Sequence, residues 1–174
     1  MDNQTNYQKD GVALIIDLLR ENFGSYFKEY YSGQPNAIPK SNYPCVMVTE
    51  TNGTVQAGAT GTDNIVEAVT IILAFNRMDD VGAKSNEDTT ETIARRLVKG
   101  QDPTTQQWSA NSLMGVLRVN YTLDDSGARI IQNNVVTEFA ENIRGVNASE
   151  EELFTFEAFV TINIERLAIV PQRS

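Results

Sequence analysis

Apolar residues recur along this chain with two different periods. Near the start, Val12, Ile15, Ile16, Leu19 and Phe23 follow i, i+3, i+4, i+7 spacing. Leu14 and Leu18 widen that stripe, and Asp17, Arg20 and Glu21 lie off it. The spacing predicts an amphipathic helix with a stop available at Gly24. The aromatic run "SYFKEYY" is read as a further turn or two. The prolines of "SGQPNAIPKSNYP" bias each preceding residue away from helix, so an extended loop is expected over 32–44.

Beyond Pro44 the period falls to two. "YPCVMVTET" opens a strand with Pro44 at its beginning. In "NIVEAVTIILAFNRMDD", Ile65, Val69, Ile71, Leu73 and Phe75 share one face, interrupted by Glu67. Val66, Ala68, Thr70, Ile72 and Ala74 form the other. Both faces are apolar enough to predict a long strand with something packed on each side. The intervening "NGTVQAGATGTDN" is expected to be a glycine-rich turn or loose hairpin.

"SNEDTTETIARRLVKG" carries helix start and stop signals. Ser85 can cap with Asp88, acidic residues crowd the first turn, and Arg95, Arg96 and Lys99 crowd the last. Gly100 suits a left-handed stop. Ile93, Ala94 and Leu97 supply the buried side, and Pro103 prevents continuation. "NSLMGVLRVNYTLDD" predicts a short helix over 112–117 leading into a strand at "RVNYTLD", then a turn at "DDSG". "ARIIQNNVVTEFAENI" predicts a strand. In the last strand, "ELFTFEAFVTINIERLAIV", Phe154, Phe156, Ala158, Val160, Ile162 and Ile164 point one way. Thr155, Glu157, Thr161, Asn163 and Glu165 point the other, with Phe159 the exception. The order predicts an α+β fold: an antiparallel β-sheet of long strands with helices packed on one face. It is expected to form one domain over 1–174, with a short frayed tail from residue 171.

Composition narrows the chemistry. The 174 residues are 41% hydrophobic and 21% charged, with a formal net charge of −9. An acidic surface repels nucleic acid, since affinity for phosphate backbones comes from Lys and Arg. Histidine is absent, which removes the commonest general base and metal ligand. Cys45 is the only cysteine, so no intrachain disulfide forms and a reducing compartment is expected. It is read as a buried core thiol. Four Asn-x-Ser/Thr sites, at Asn3, Asn52, Asn120 and Asn147, are read as compositional, because the start lacks the character of a signal peptide. No apolar run reaches membrane-spanning length.

The remaining candidates are weak. Asp79–Asp80 and Asp124–Asp125 are read as solvated turn residues, with a divalent-ion contact as the functional alternative. "AGATGTDN" lacks the Lys-Ser/Thr and the following helix of a phosphate loop. Arg95, Arg96 and Lys99 are read as compensating a helix C-terminus rather than binding nucleic acid. Tyr26, Phe27, Tyr30 and Tyr31 either close the core over the first helix or form a surface that a partner buries. No cofactor, metal or catalytic site is expected.

With these elements in order, the chain resembles the tail terminator (tail-completion) proteins of long-tailed bacteriophages. The resemblance runs over nearly its whole length: the amphipathic helix before "NYPCVMV", the strand ending "ILAFNRMDD", the helix "TTETIARRLVKG", then "NSLMGVLRVNYTLD" and a β-rich last third. It implies a non-enzymatic virion structural protein, made in the host cytoplasm and built into the neck. Copies would assemble into a homo-oligomeric ring, a hexamer in the usual case, capping the tail tube protein and joining it to head-tail connector proteins. DNA would pass through without specific binding. The acidic residues that could line such a channel are Asp79, Asp80, Asp124, Asp125, Glu150, Glu151 and Glu152. Two alternatives stay open: another neck ring protein (connector or stopper), and a small-molecule-binding β-rich domain with a pocket lined by Phe154, Phe156 and Phe159. A divalent-ion-dependent hydrolase using the acidic pairs ranks below both.

Overall fold

The computed structural model describes residues 9–59, 61–77, 89–145 and 152–170. The predicted first helix is α1 (Gly11–Phe23). Asp10 caps it, its Oδ1 accepting from the Ala13 N–H at 2.8 Å, which satisfies one orphan donor of the first turn. The aromatic run then departs from expectation. Gly24–Tyr26 make a single 3-10 turn, and the chain becomes extended as β1 (Glu29–Ser32). Phe27 explains the change: it is buried against Phe23, Tyr26, Tyr30 and Phe75. Tertiary burial of one aromatic outweighs a local helix preference of a few tenths of a kcal/mol.

β2 (Cys45–Ala57) and β3 (Thr62–Asn76) form a long hairpin. The stretch expected to be a loose glycine-rich connection is strand as far as Ala57, paired residue by residue with β3. The Gly58 N–H donates to the Thr62 carbonyl at 2.9 Å, and Gly61 takes φ +83° where the chain reverses. α2 (Thr90–Lys99) is capped by Thr89, whose Oγ1 accepts from the Thr92 N–H at 3.2 Å; the expected cap at Ser85 and Asp88 lies outside the described residues. Ala94 and Val98 are its buried residues, Ile93 and Leu97 being half-buried. Gly100 has φ −58°, so the expected left-handed stop does not form.

α3 (Leu113–Val119) extends past the expected short helix. The strand predicted at 118–124 is absent: Leu113, Val116 and Leu117 pack into the helix-side core, and Asn120 closes the helix by donating to the Val116 carbonyl. Only an isolated bridge, Thr122 to Arg129, precedes β4 (Arg129–Gly145). β5 (Glu152–Ile169) ends the described chain.

The sheet order is β1-β2-β3-β5-β4. The four long strands pair antiparallel, as expected, and β1 adds a short parallel edge to β2. A parallel neighbour requires a crossover, and residues 33–44 provide it by running over one face of the sheet. All three helices lie on the opposite face. There α1, α2 and α3 bury Val69, Ile71, Leu73 and Phe75 of β3 with Phe156, Ala158, Val160, Ile162 and Ile164 of β5. The crossover covers a second core of Cys45, Met47, Ile72 and Ala74 with Ile38 and Tyr43. Both faces of β3 are therefore covered, which accounts for its almost unbroken apolar sequence.

Past these two cores the sheet continues as a projecting arm. It is made of β2 from Asn52, the start of β3 and the end of β5, and its β2 segment is exposed throughout.

Candidate functional site

Two carboxylates that strand alternation alone leaves unexplained turn out to be buried anchors. Glu67 interrupts the apolar face of β3. Its Oε1 accepts from Arg166 Nη2 at 2.6 Å and Nε at 3.0 Å, and its Oε2 accepts from the Gly11 N–H at 2.9 Å. A Cβ at position 11 would stand 2.5 Å from that oxygen, so glycine lets the first turn of α1 reach the carboxylate. Glu157, on the opposite face, has no exposed side-chain surface. Arg144 grips it with Nε at 2.6 Å and Nη2 at 2.8 Å, and Asn142 Nδ2 and Thr155 Oγ1 complete the shell. Arg144 Nη1 also donates to Gln34 Oε1 of the crossover at 3.5 Å, and the Ile38 N–H donates to the Gly145 carbonyl. The crossover is thus tied across the sheet to β4.

Each charge is paired and hydrogen-bonded, the condition under which burial is tolerated. A general base needs a free lone pair facing a cavity. Glu157 accepts four hydrogen bonds and Glu67 three, and their geometry is that of fasteners. Tyr43 sits beside the Glu157 pair, and burial, with Cys45 next in effect, pushes its hydroxyl far above the ordinary tyrosine range. The place of Glu67 within an apolar face is a signal of burial, but it does not name a partner, and Glu157 lies in a polar alternation where nothing separates it from a solvated residue. The arginines that answer them, Arg166 and Arg144, lie 99 and 13 positions away in sequence.

Of the acidic residues read as channel-lining, Asp124, Asp125 and Glu152 are described. Asp79, Asp80, Glu150 and Glu151 lie outside the described residues. Asp124 organises its own turn, its Oδ1 accepting from Ser126 Oγ and from the N–H groups of Ser126 and Ala128. Partial burial pushes its carboxyl up, but these bonds and one from Gly127 outweigh it and leave the pKa lowered. Asp125 and Glu152 are exposed. Glu152 begins β5, whereas the Asp124 turn precedes Arg129, which pairs with Glu165. The intervening strand separates the two sites by roughly 40 Å at 3.3 Å per residue. They sit at opposite ends of the sheet, and one subunit cannot present both at a single constriction.

The basic helix end is engaged locally. Arg95 pairs with Glu91 at 2.7 Å and stacks its guanidinium 4.8 Å from the Phe139 ring centroid, with Lys99 Nζ at 5.8 Å. The aromatics Tyr26, Phe27, Tyr30 and Tyr31 divide. Phe27 joins the helix-side core, and Tyr30 packs against it and donates to the Gly24 carbonyl. Tyr31 packs on the crossover side, and Tyr26 is half exposed. The three phenylalanines read as one pocket do not converge: Phe156 lies in the helix-side core, Phe159 packs on the other face, and Phe154 is exposed at the strand's end. Among the described residues no acidic or cysteine cluster has metal-holding geometry, and no helix is long and apolar enough to cross a membrane.

What stands open is backbone. β4 has 17 residues and lies at the outside of the sheet. Among the described residues no strand pairs with its outer side; isolated bridges touch only its two ends, Thr122 to Arg129 and Ala37 to Gly145. On the other side β1 covers β2 only from Cys45 to Val48, so the rest of β2 is edge as well. Exposed apolar side chains accompany these edges: Val55 on β2, Val136 and Ile143 on β4, and Phe154, Leu167 and Ile169 on β5. Comparison with models of known protein families matches none, and a search of curated proteins likewise finds no match.

Proposed function

We propose that this chain is a virion structural protein, a tail terminator subunit whose copies form a ring capping the tail tube and joining it to the head connector. The observation that carries the reading is the pair of long open strand edges on opposite sides of one sheet, each accompanied by exposed apolar residues. An unprotected edge invites pairing with another chain. Two different edges on one subunit suit head-to-tail contacts, which close into a ring when the rotation allows. The buried carboxylates act as fasteners, which fits a part whose work is shape and association. The resemblance in element order supports the specific role. The net charge of −9 suits a passage for DNA, because a negative lining repels the phosphate backbone. Either the Asp124–Asp125 end or the Glu152 end would face that passage.

The test is native mass spectrometry and light scattering of the purified chain, alone and with tail tube protein. The expected result is a closed homo-oligomer, formed alone or on the tube, that binds tube ends. A chain that stays monomeric at high concentration and ignores tube protein overturns the proposal. A ring that binds a portal-side adaptor instead of the tube reassigns it to the connector or stopper role.

A further inference from the structure

The end of β5 carries an unfilled strand position. β4 begins at Arg129, opposite Glu165, while β5 runs on to Ile169. Arg166–Ile169 therefore have β3 on one side and, among the described residues, no strand on the other. The ladder shows which groups are free. The Val170 N–H donates to the Gly61 carbonyl, and Ile169 lies opposite Thr62 in the same register. Antiparallel strands alternate between residues that bond to a neighbour and residues that do not. Arg166 and Ala168 thus bond toward β3, and Leu167 and Ile169 turn their N–H and C=O to the open side. The same two residues have exposed apolar side chains, 50% and 86% accessible.

Beside this edge lies a cleft of about 510 Å³, lined by Gly58, Thr62, Asn64, Arg129, Glu165 and Leu167 among others. Its side-chain polar groups are already matched except one. Arg129 is bound to Glu165, Arg166 to Glu67, and Asn64 Nδ2 donates to Glu165 Oε1. Asn64 Oδ1 is buried and receives no hydrogen bond among the described residues, a costly omission unless a donor arrives. The site therefore offers a free backbone ladder, apolar side chains and one acceptor awaiting an N–H, with its charges compensated. A charged occupant would bring an unpaired charge. A neutral extended peptide fits.

The chain itself contains such a peptide at its other open edge. The Gly58 N–H bonds to the Thr62 carbonyl, in register with the pairing of Ala57 to Asp63. By the same alternation Gln56 and Thr54 bond toward β3, and Gly53, Val55 and Ala57 turn their backbone groups outward. This segment, Thr51–Ala57, contains no charged residue, and Val55 is 66% exposed. Outward groups two residues apart on one edge match outward groups two residues apart on the other.

We propose that the β2 edge of one copy, centred on Val55, adds as a strand to the Leu167–Ile169 edge of a second copy, with a side-chain amide of the incoming segment, Asn52 or Gln56, reaching past Leu167 to Asn64 Oδ1. The inference rests on the ring-subunit reading and names the contact that builds the ring. It is strand addition, with affinity from the main chain and selectivity from the neutral, apolar surroundings.

The experiment uses the full chain throughout. Val55→Pro and Leu167→Pro each remove one outward N–H while leaving the internal β3 ladder its donors. Val55→Cys and Leu167→Cys copies, mixed under oxidising conditions, report proximity without depending on either proline; Val119→Cys replaces one partner as control. Expected are a Val55–Leu167 cross-linked species found only in the mixture, none with Val119→Cys, and at least a tenfold rise in the concentration needed for assembly of each proline variant. Circular dichroism checks that the proline variants keep the wild-type fold; if one does not, the cross-link decides. Wild-type assembly with no Val55–Leu167 cross-link, or with assembly unchanged in folded proline variants, overturns this contact and leaves the ring reading intact. A wild-type chain that assembles neither alone nor on tail tube overturns both.

Discussion

Arg144→Ala tests whether Glu157 is a buried anchor. In the folded protein the Glu157 side chain has no accessible surface and Arg144 retains 19%. Removing the guanidinium deletes both bonds to the carboxylate and leaves it inside the crossover-side core with Asn142 and Thr155 as its remaining donors. Breaking a buried pair by removing one partner costs about 3–5 kcal/mol. Because two donors remain and Arg144 is partly exposed, the expected loss is at the low end, about 3 kcal/mol. For a domain of this size that lowers Tm by roughly 10 °C. Equilibrium unfolding in guanidinium, followed by circular dichroism, measures it. The crossover supplies an independent readout. Cys45 lies buried beneath it, so an aromatic disulfide reagent should leave the native wild-type thiol unmodified and should modify it faster in Arg144→Ala, where Gln34 has lost its partner. Replacing both members, Arg144→Met with Glu157→Leu, should recover at least half of the lost stability, since an apolar pair of similar volume needs no compensation. A loss under about 1 kcal/mol, the worth of a surface ion pair, with unchanged Cys45 reactivity, would refute the reasoning.

Other outcomes follow from the same packing. Phe156→Asp and Ile162→Asp each place an unpaired charge in the helix-side core and should cost more than about 4 kcal/mol; soluble, native-like protein from both would mean the inward side of β5 is misassigned. Gly115→Ala puts a Cβ 2.0 Å from the Ser109 carbonyl oxygen, so α3 or the preceding loop must shift, at about 1–3 kcal/mol in thermal melts; an unchanged Tm contradicts that close approach. Asp124 has a lowered carboxyl pKa, so the stability it confers is present above the unfolded carboxylate range and is lost as pH falls through the folded value. The difference between wild type and Asp124→Asn should be full at neutral pH and shrink below about pH 4; a difference that grows on acidification has the wrong sign for this turn.

Much of the architecture was legible in residue patterns. The period-3.6 stripe from Val12 to Phe23 and the period-2 runs in β3 and β5 each specify which side is inward, because burial rewards one periodicity at a time. The two-sided apolar character of β3 announced cover on both faces without saying what covers. Local signals failed where a distant partner decides. Phe27 is drawn out of a helix by Phe75, and of the segment Arg118–Asp124 the first two residues join α3, whose apolar side packs into the core, while the rest keeps a single bridge, Thr122 to Arg129. Asn52–Ala57 becomes strand because β3 lies beside it. Glu67 stands out in sequence only as a charge within an apolar face, and Glu157 carries nothing in its own surroundings that distinguishes a fastener from a solvated carboxylate. Their roles come from Arg166 and Arg144, which only the sheet register brings within 2.6 Å.

The candidate contact divides in the same way. The neutral composition of Thr51–Ala57 can be read directly. Which backbone groups turn outward, and that β5 outruns β4, depend on pairing over long sequence separations. Sequence by itself determined the elements whose side chains alternate between oil and water, since that preference is carried by each residue. Tertiary structure alone decided which polar groups are satisfied and which edges stay open, since hydrogen bonding is a property of pairs.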